Sequence, residues 1–224
     1  MKTGLDEVRS RMSGAARAAG RMVDEVMLVA VSKTFPAQAV RAVAACGQRD
    51  FGENYVQEAC EKQAMLTDLQ LVWHFIGPIQ SNKTREIAMH FDWVHGVERE
   101  KIARRLSEQR PAFKLALNVC LQVNISGEAS KSGVAPDALD ALAAQVEGLP
   151  GLKLRGLMAI PDPGDDPQSG FRQMRALLED LNTKGHALDT LSMGMSGDFE
   201  TAIAEGATII RVGSAIFGKR SYAT

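Results

Sequence analysis

The sequence is short of the features that mark stapled, metal-bound or membrane proteins. It has three cysteines in 224 residues. Cys46, Cys60 and Cys120 are widely spaced and form neither a CxxC pair nor a zinc pattern. Free thiols in odd number suit a reducing compartment, and Cys120, inside an apolar run, reads as a buried core thiol. No stretch approaches the ~18 consecutive apolar residues of a spanning helix. Met1-Lys2-Thr3-Gly4-Leu5-Asp6-Glu7 holds no apolar signal segment. Both observations predict a cytoplasmic protein. Neither sign of charge prevails: 26 basic against 27 acidic residues leave a net charge of −1, so no global field draws the chain to nucleic acid or to an anionic membrane. His90 and His95 have no partner at metal-ligand spacing, and no metal site is expected. No GxGxxG follows the first apolar run, which counts against a dinucleotide-binding sheet. No low-complexity linker divides the chain.

What is present is a repeated alternation. Leu5, Val8, Met12 and Ala15 or Ala16 recur at three- and four-residue steps and predict a helix over 5–19. The apolar run 26–31 then reads as a buried strand. Pro36 opens a helix carrying Val40 and Val43. Further strands are predicted at 50–53, 71–75, 91–94, 115–123, 152–158, 188–191 and 208–212. Helical patterns lie between them, marked by Ile102 and Leu106, by Leu139, Leu142 and Val146, and by Phe171, Met174, Leu178 and Leu181. Alternating strands and helices imply a parallel sheet. Eight such units fit a closed barrel better than an open sheet of five or six strands. The expectation is one domain over residues 1–224, a (β/α)8 TIM-type barrel with an extra N-terminal helix.

In such barrels the active site lies at the C-terminal ends of the strands. Those ends offer Lys33, Asn54, His74, Asn124, Met158, Met193 and Arg211. Lys33 follows the apolar strand 26–31 directly. Alone it would be read as a lysine snorkelling to solvent, yet an amine in a barrel mouth can also form a Schiff base with a carbonyl. Strand seven runs into Ser192-Met193-Gly194-Met195-Ser196-Gly197-Asp198, and strand eight into Gly213-Ser214-Ala215-Ile216-Phe217-Gly218. Either loop alone would pass for a turn and an N-cap. Together they stand where barrels bind phosphate, and their exposed N–H groups and the Ser196 and Ser214 hydroxyls are suitable donors. A lysine beside a phosphate cup points to a phosphorylated aldehyde. Arg211, inside Ile209-Ile210-Arg211-Val212, needs a partner; the ring nitrogen of pyridoxal phosphate and a barrel-lining carboxylate are the two candidates. His74 reads as a hydrogen-bonded barrel histidine, and Tyr55 as an edge or packing residue.

At these positions the sequence resembles the pyridoxal phosphate homeostasis protein family. The matching segments are 30–34 (Ala-Val-Ser-Lys-Thr), 51–58 (Phe-Gly-Glu-Asn-Tyr-Val-Gln-Glu), 73–83, 130–133, 154–160, 191–196 and 211–218. They span the whole chain. The resemblance implies a barrel like the N-terminal domain of alanine racemase, with pyridoxal 5′-phosphate (PLP) as a Schiff base on Lys33. It also implies that Ser196, Gly213 and Ser214 hold the phosphate, that Arg211 faces the pyridine nitrogen, and that Asn54 lies near the cofactor. Lys131 follows strand five in a long loop and carries no assigned contact.

Three activities compete for such a site: a PLP carrier that passes its cofactor to apo-enzymes, an amino-acid racemase, and a lysine-dependent aldolase. Racemisation needs a second acid–base group opposite the lysine. The tyrosines are Tyr55 and Tyr222 alone, and the chain reaches Thr224 six residues past Gly218, with no sign of the racemase β-domain. A permanent cation at Arg211 also weakens the electron sink of the pyridine ring. An aldolase needs a general acid near the imine, and Glu53 is the lone acidic residue at a predicted strand end. The expectation is therefore a monomeric PLP carrier of vitamin B6 homeostasis without proficient catalysis; the racemase is the alternative.

Overall fold

The computed structural model of the chain describes residues 1–127, 132–161 and 166–218. Eight strands form a closed, all-parallel barrel in sequence order: β1 Met27–Val31, β2 Asp50–Glu53, β3 Val72–Phe75, β4 Trp93–Val97, β5 Leu117–Gln122, β6 Leu152–Met158, β7 Thr190–Ser192 and β8 Ile209–Val212. Closure is made by β1 on β8, with Met27 opposite Ile209 and Val29 opposite Arg211. Helices α2 Ala37–Ala44, α3 Val56–Met65, α4 Thr84–His90, α5 Glu100–Gln109, α6 Leu139–Glu147, α7 Pro167–Thr183 and α8 Phe199–Ala204 lie in the crossovers, and the short α9 Ser214–Phe217 follows β8.

The strands alternate with period two between a barrel interior and a helix-facing layer. The interior holds Val29, Trp93, Cys120, Met158 and Ile209 as a packed cluster. Burial pushes the Cys120 thiol up to about 12, so it stays a protonated, inert core group. The outer layer joins Leu28, Phe51, Phe75, Val94, Leu121 and Ile210 to the buried faces of the helices.

The extra N-terminal helix, α1 Lys2–Ala18, buries Leu5, Val8, Met12 and Ala16. It packs on α8 and α9. At its first turn a Cβ on Gly4 would lie 2.5 Å from the Ala215 carbonyl oxygen, so α1 abuts the helix that carries Ser214. All eight predicted strands exist, but three are displaced. β4 begins at Trp93 because Phe91, though fully buried, ends α4. β5 begins at Leu117, since Leu115 is 88% exposed. β7 is only Thr190–Ser192, because Leu188 belongs to the preceding loop.

Candidate active site at the barrel mouth

Period two on β1 aligns Val29, Val31 and Lys33 toward the barrel axis, and on β8 it aligns Ile209 and Arg211. These two strands and the loops after β2, β7 and β8 enclose a cavity of about 270 Å³. Lys33, Asn54, Ser196, Arg211, Gly213 and Ser214 all line it. Val31, Ile76, Ile160 and Met195 supply its apolar walls. Ser214 Oγ donates to Ser196 Oγ at 3.2 Å, which joins the loops after β7 and β8 into one polar end. Ser214 and Ala215 occupy the first turn of α9, where N–H groups have no intrahelical acceptor. Gly213 allows β8 to lie close to β1: a Cβ there would stand 3.2 Å from the Val31 carbonyl oxygen. Asn54 Oδ1 is buried and has no hydrogen-bond partner among the described residues. Its backbone is pressed by Gly77, where a Cβ would fall 2.4 Å from the Asn54 carbonyl oxygen.

Lys33 is half-buried, and its chain neighbours Ser32 and Thr34 are held by a charged bracket. Lys62 of α3, 4% exposed, donates to the Ser32 carbonyl at 2.7 Å and to Glu53 Oε1 and Glu58 Oε1, each at 2.6 Å. Ser32 Oγ donates to the same Glu53 oxygen at 2.6 Å. Burial pushes the Glu53 carboxyl above its ordinary range against the pull of Lys62. Its Oε2 is buried without a partner among the described residues. Glu58 also accepts from the Thr34 N–H at 2.5 Å. Thr34 has φ 69°, a left-handed conformation unusual for a β-branched residue.

Arg211 is 5% exposed. Its Nη1 donates to Ser192 Oγ at 2.7 Å and its Nη2 to the Ala159 carbonyl at 3.0 Å. Of the two partners open on the sequence, a barrel-lining carboxylate is not in hydrogen-bond contact with it among the described residues. Burial lowers the guanidinium to about 10, which leaves it cationic at neutral pH. His74 is a fully buried barrel histidine, stacked on Trp93 with ring centroids 5.6 Å apart, and it does not line the cavity. Met158 and Met193 are core residues, and Asn124 Oδ1 accepts from Ser126 Oγ and the Gly127 N–H in its own loop. Tyr55 is 56% exposed at the start of α3. Ser130, Lys131 and Tyr222 lie outside the described residues. Lys62, Glu58, His95 and Ser192 had no assigned role on the sequence. The signal for Lys62 and Glu58 was their four-residue spacing on one helix face.

The closed barrel with a lysine at the end of its first strand defines a class, that of the alanine racemase N-terminal domain, whose family matches residues 5–221. Within it the chain belongs to the pyridoxal phosphate homeostasis protein family. The pyridoxal phosphate homeostasis protein of Pseudomonas aeruginosa is 63% identical over 97% of this chain and 95% of its own length. That of Escherichia coli K12 is 52% identical over 97% and 96%. The structure of PipY from Synechococcus elongatus with PLP bound matches with a TM-score of 0.82 at 40% identity, covering 94% of this chain and 100% of that one.

Proposed function

We propose that this chain binds pyridoxal 5′-phosphate at the barrel mouth and serves intracellular vitamin B6 homeostasis, handing the cofactor to PLP-dependent apo-enzymes. The observation that carries this reading is the gathering of one amine, one guanidinium and a two-loop polar end around a single small cavity. The naming of relatives at 52–63% identity as homeostasis proteins supports it, as does the PLP bound to PipY. The residues fit the group: the apolar walls suit a flat ring, and the cavity is near the lower end of the range for small-molecule sites. Ser196, Gly213 and Ser214 would hold the phosphate, and Arg211 would serve the ring nitrogen. The unpartnered Asn54 Oδ1 would accept from a ring substituent or a water beside it. Lys33, the amine lining this mouth, would hold the aldehyde carbon through its Nζ. When bound, the group supplies an aldehyde that amines capture and release reversibly.

The carrier reading is favoured over the racemase by what lines the cavity. Lys33 and Arg211 are its ionisable groups among the described residues. Arg211 stays protonated, so no second group there takes and returns a proton on the opposite face. A cytoplasmic monomer is part of this proposal. No described helix is long and apolar enough to cross a membrane. The test is borohydride reduction of the PLP-loaded protein followed by peptide mapping. The adduct is expected on Lys33, with Lys33→Ala losing the visible absorbance band while remaining folded. An adduct on Lys83 or Lys131 instead overturns the assignment.

A further inference from the structure

Five side chains cross the barrel interior in one line, and nothing in the cavity itself accounts for four of them. Arg211 Nη1 meets Ser192 Oγ at 2.7 Å, Ser192 Oγ meets His95 Nδ1 at 2.7 Å, His95 Nε2 meets His74 Nδ1 at 3.0 Å, and His74 Nε2 meets Asp50 Oδ1 at 3.2 Å. Arg211, Ser192, His95 and His74 are buried, and Asp50 is partly exposed at the opposite end of β2. The hydrogen inventory limits how this line runs. A guanidinium only donates, so Ser192 Oγ accepts from Arg211 and has one proton to give. Given to His95 Nδ1, it leaves that ring with its proton on Nε2. That proton points at His74 Nδ1, so the His74 proton sits on Nε2 and points at the Asp50 carboxylate. Every donor then has an acceptor, and the line ends on the one group that only accepts.

We propose that Ser192, His95, His74 and Asp50 are positioning residues for Arg211: a one-directional chain in which neutral Ser192, His95 and His74 fix its guanidinium and link its buried charge to the Asp50 carboxylate four hydrogen bonds away. Burial, and after it the neighbouring His74 and Arg211, holds the basicity of His95 well below the ordinary histidine range. A buried cation without any compensation is costly. A carboxylate in direct contact would pair with the guanidinium and take its donors. The chain instead supplies compensation at a distance and leaves the rest of Arg211 for the ligand. The line is not a proton wire, because Arg211 does not give up its proton at neutral pH. The effect on a ligand rests on the proposed cofactor site; the chain itself does not.

The experiment has two arms on the full chain. In the first, ¹⁵N NMR of histidine-labelled protein without ligand is expected to show His74 and His95 neutral at pH 7, both protonated on Nε2. A proton on Nδ1 of either ring, or a cationic His74 paired with Asp50, overturns the proposal. In the second, binding of the PLP analogue with a methyl group in place of the aldehyde is titrated, so that Lys33 takes no covalent part. Ser192→Ala and His95→Leu are expected to weaken it about tenfold, as for loss of a hydrogen bond to a charged group. His95→Gln, which keeps an acceptor and a donor, is expected to restore most of the affinity. Unchanged affinity in Ser192→Ala also overturns the proposal. Failure of the unaltered protein to bind the analogue or PLP removes the cofactor reading, and the ring tautomers still decide the chain.

Discussion

The Thr34 N–H donates to Glu58 Oε1 at 2.5 Å, and this bond ties α3 to the residue immediately after Lys33. Thr34 is the one non-glycine residue with positive φ among those described. A β-branched residue in that region costs of order 1–3 kcal/mol and persists where its surroundings over-determine it. Glu58 supplies that restraint, and Lys62 holds Glu58 in turn at 2.6 Å.

Glu58→Ala is therefore expected to relax the turn and let Lys33 sample more positions. Stability should fall by ~1–2 kcal/mol through loss of a charge-assisted hydrogen bond, and PLP affinity should fall with it. Glu58→Gln keeps an acceptor for Thr34 and should retain most of both. Chemical denaturation and PLP titration of the two variants, side by side, check this. Equal PLP affinity in Glu58→Ala and the unaltered protein removes the turn from the account of Lys33.

Lys62→Met tests the bracket through pH. It leaves the buried Glu53 carboxyl without its cation, and breaking a buried pair costs ~3–5 kcal/mol. Burial already raises Glu53 above its ordinary range, and the variant raises it further. The folded state then binds a proton more readily than the unfolded chain. The penalty is present above the raised folded value and disappears as pH falls toward the unfolded value of about 4.3. The stability difference between the two proteins is expected to be largest near pH 7 and to shrink by pH 5. A difference independent of pH would mean that Glu53 is not the group left exposed to the loss.

The barrel was legible in the sequence because parallel strands are buried on both faces and read as short apolar runs. The runs at 26–31 and 208–212 mark β1 and β8 almost to the residue. Phe91 and Leu115 misplaced two strand starts, since a single apolar residue does not reveal whether it caps a helix, enters a strand or stands in solvent. That Lys33, Asn54, Ser196, Arg211, Gly213 and Ser214 line one cavity was legible because each stands at or after a strand end, and barrel closure brings strand ends together. His95 and Ser192 were not. They are 97 residues apart, and neither sits in a pattern that demands a partner. Their meeting depends on which residues of β4 and β7 face inward at the same height. Lys62 was obscured for a related reason: it stands on an otherwise ordinary helix, and its partners come from β1 and β2.

The polar end of the cavity makes a selectivity prediction. Ser196→Ala and Ser214→Ala each remove one hydroxyl from a pair 3.2 Å apart. Each should weaken PLP binding by ~1 kcal/mol, about fivefold, and leave the weaker binding of unphosphorylated pyridoxal unchanged. The ratio of the two affinities, measured by titration, is the quantity to follow. Equal affinity of the unaltered protein for PLP and pyridoxal would take the phosphate out of the site.

The last prediction concerns turnover. Capture and release of an aldehyde by Lys33 need one amine and local proton transfer. Racemisation needs a second acid–base group and a protonated ring nitrogen to draw electrons. Arg211, lowered only to about 10, remains a cation and a hydrogen-bond donor. In the proposed pose, where it faces the ring nitrogen, it would disfavour a proton there. Absence of one positioned acid–base group typically costs ~10²–10⁴ in rate. The purified protein is expected to pass PLP to an apo-enzyme while showing little or no racemase, decarboxylase or aldolase turnover across the proteinogenic amino acids. Lys33→Ala in cells is expected to disturb vitamin B6 and amino-acid pools without removing a single identifiable reaction. A turnover number near the ~10 s⁻¹ typical of enzymes on any one amino acid would replace the carrier with the racemase or another PLP enzyme. It would also require an acid–base group other than Lys33 and Arg211 to reach the cavity.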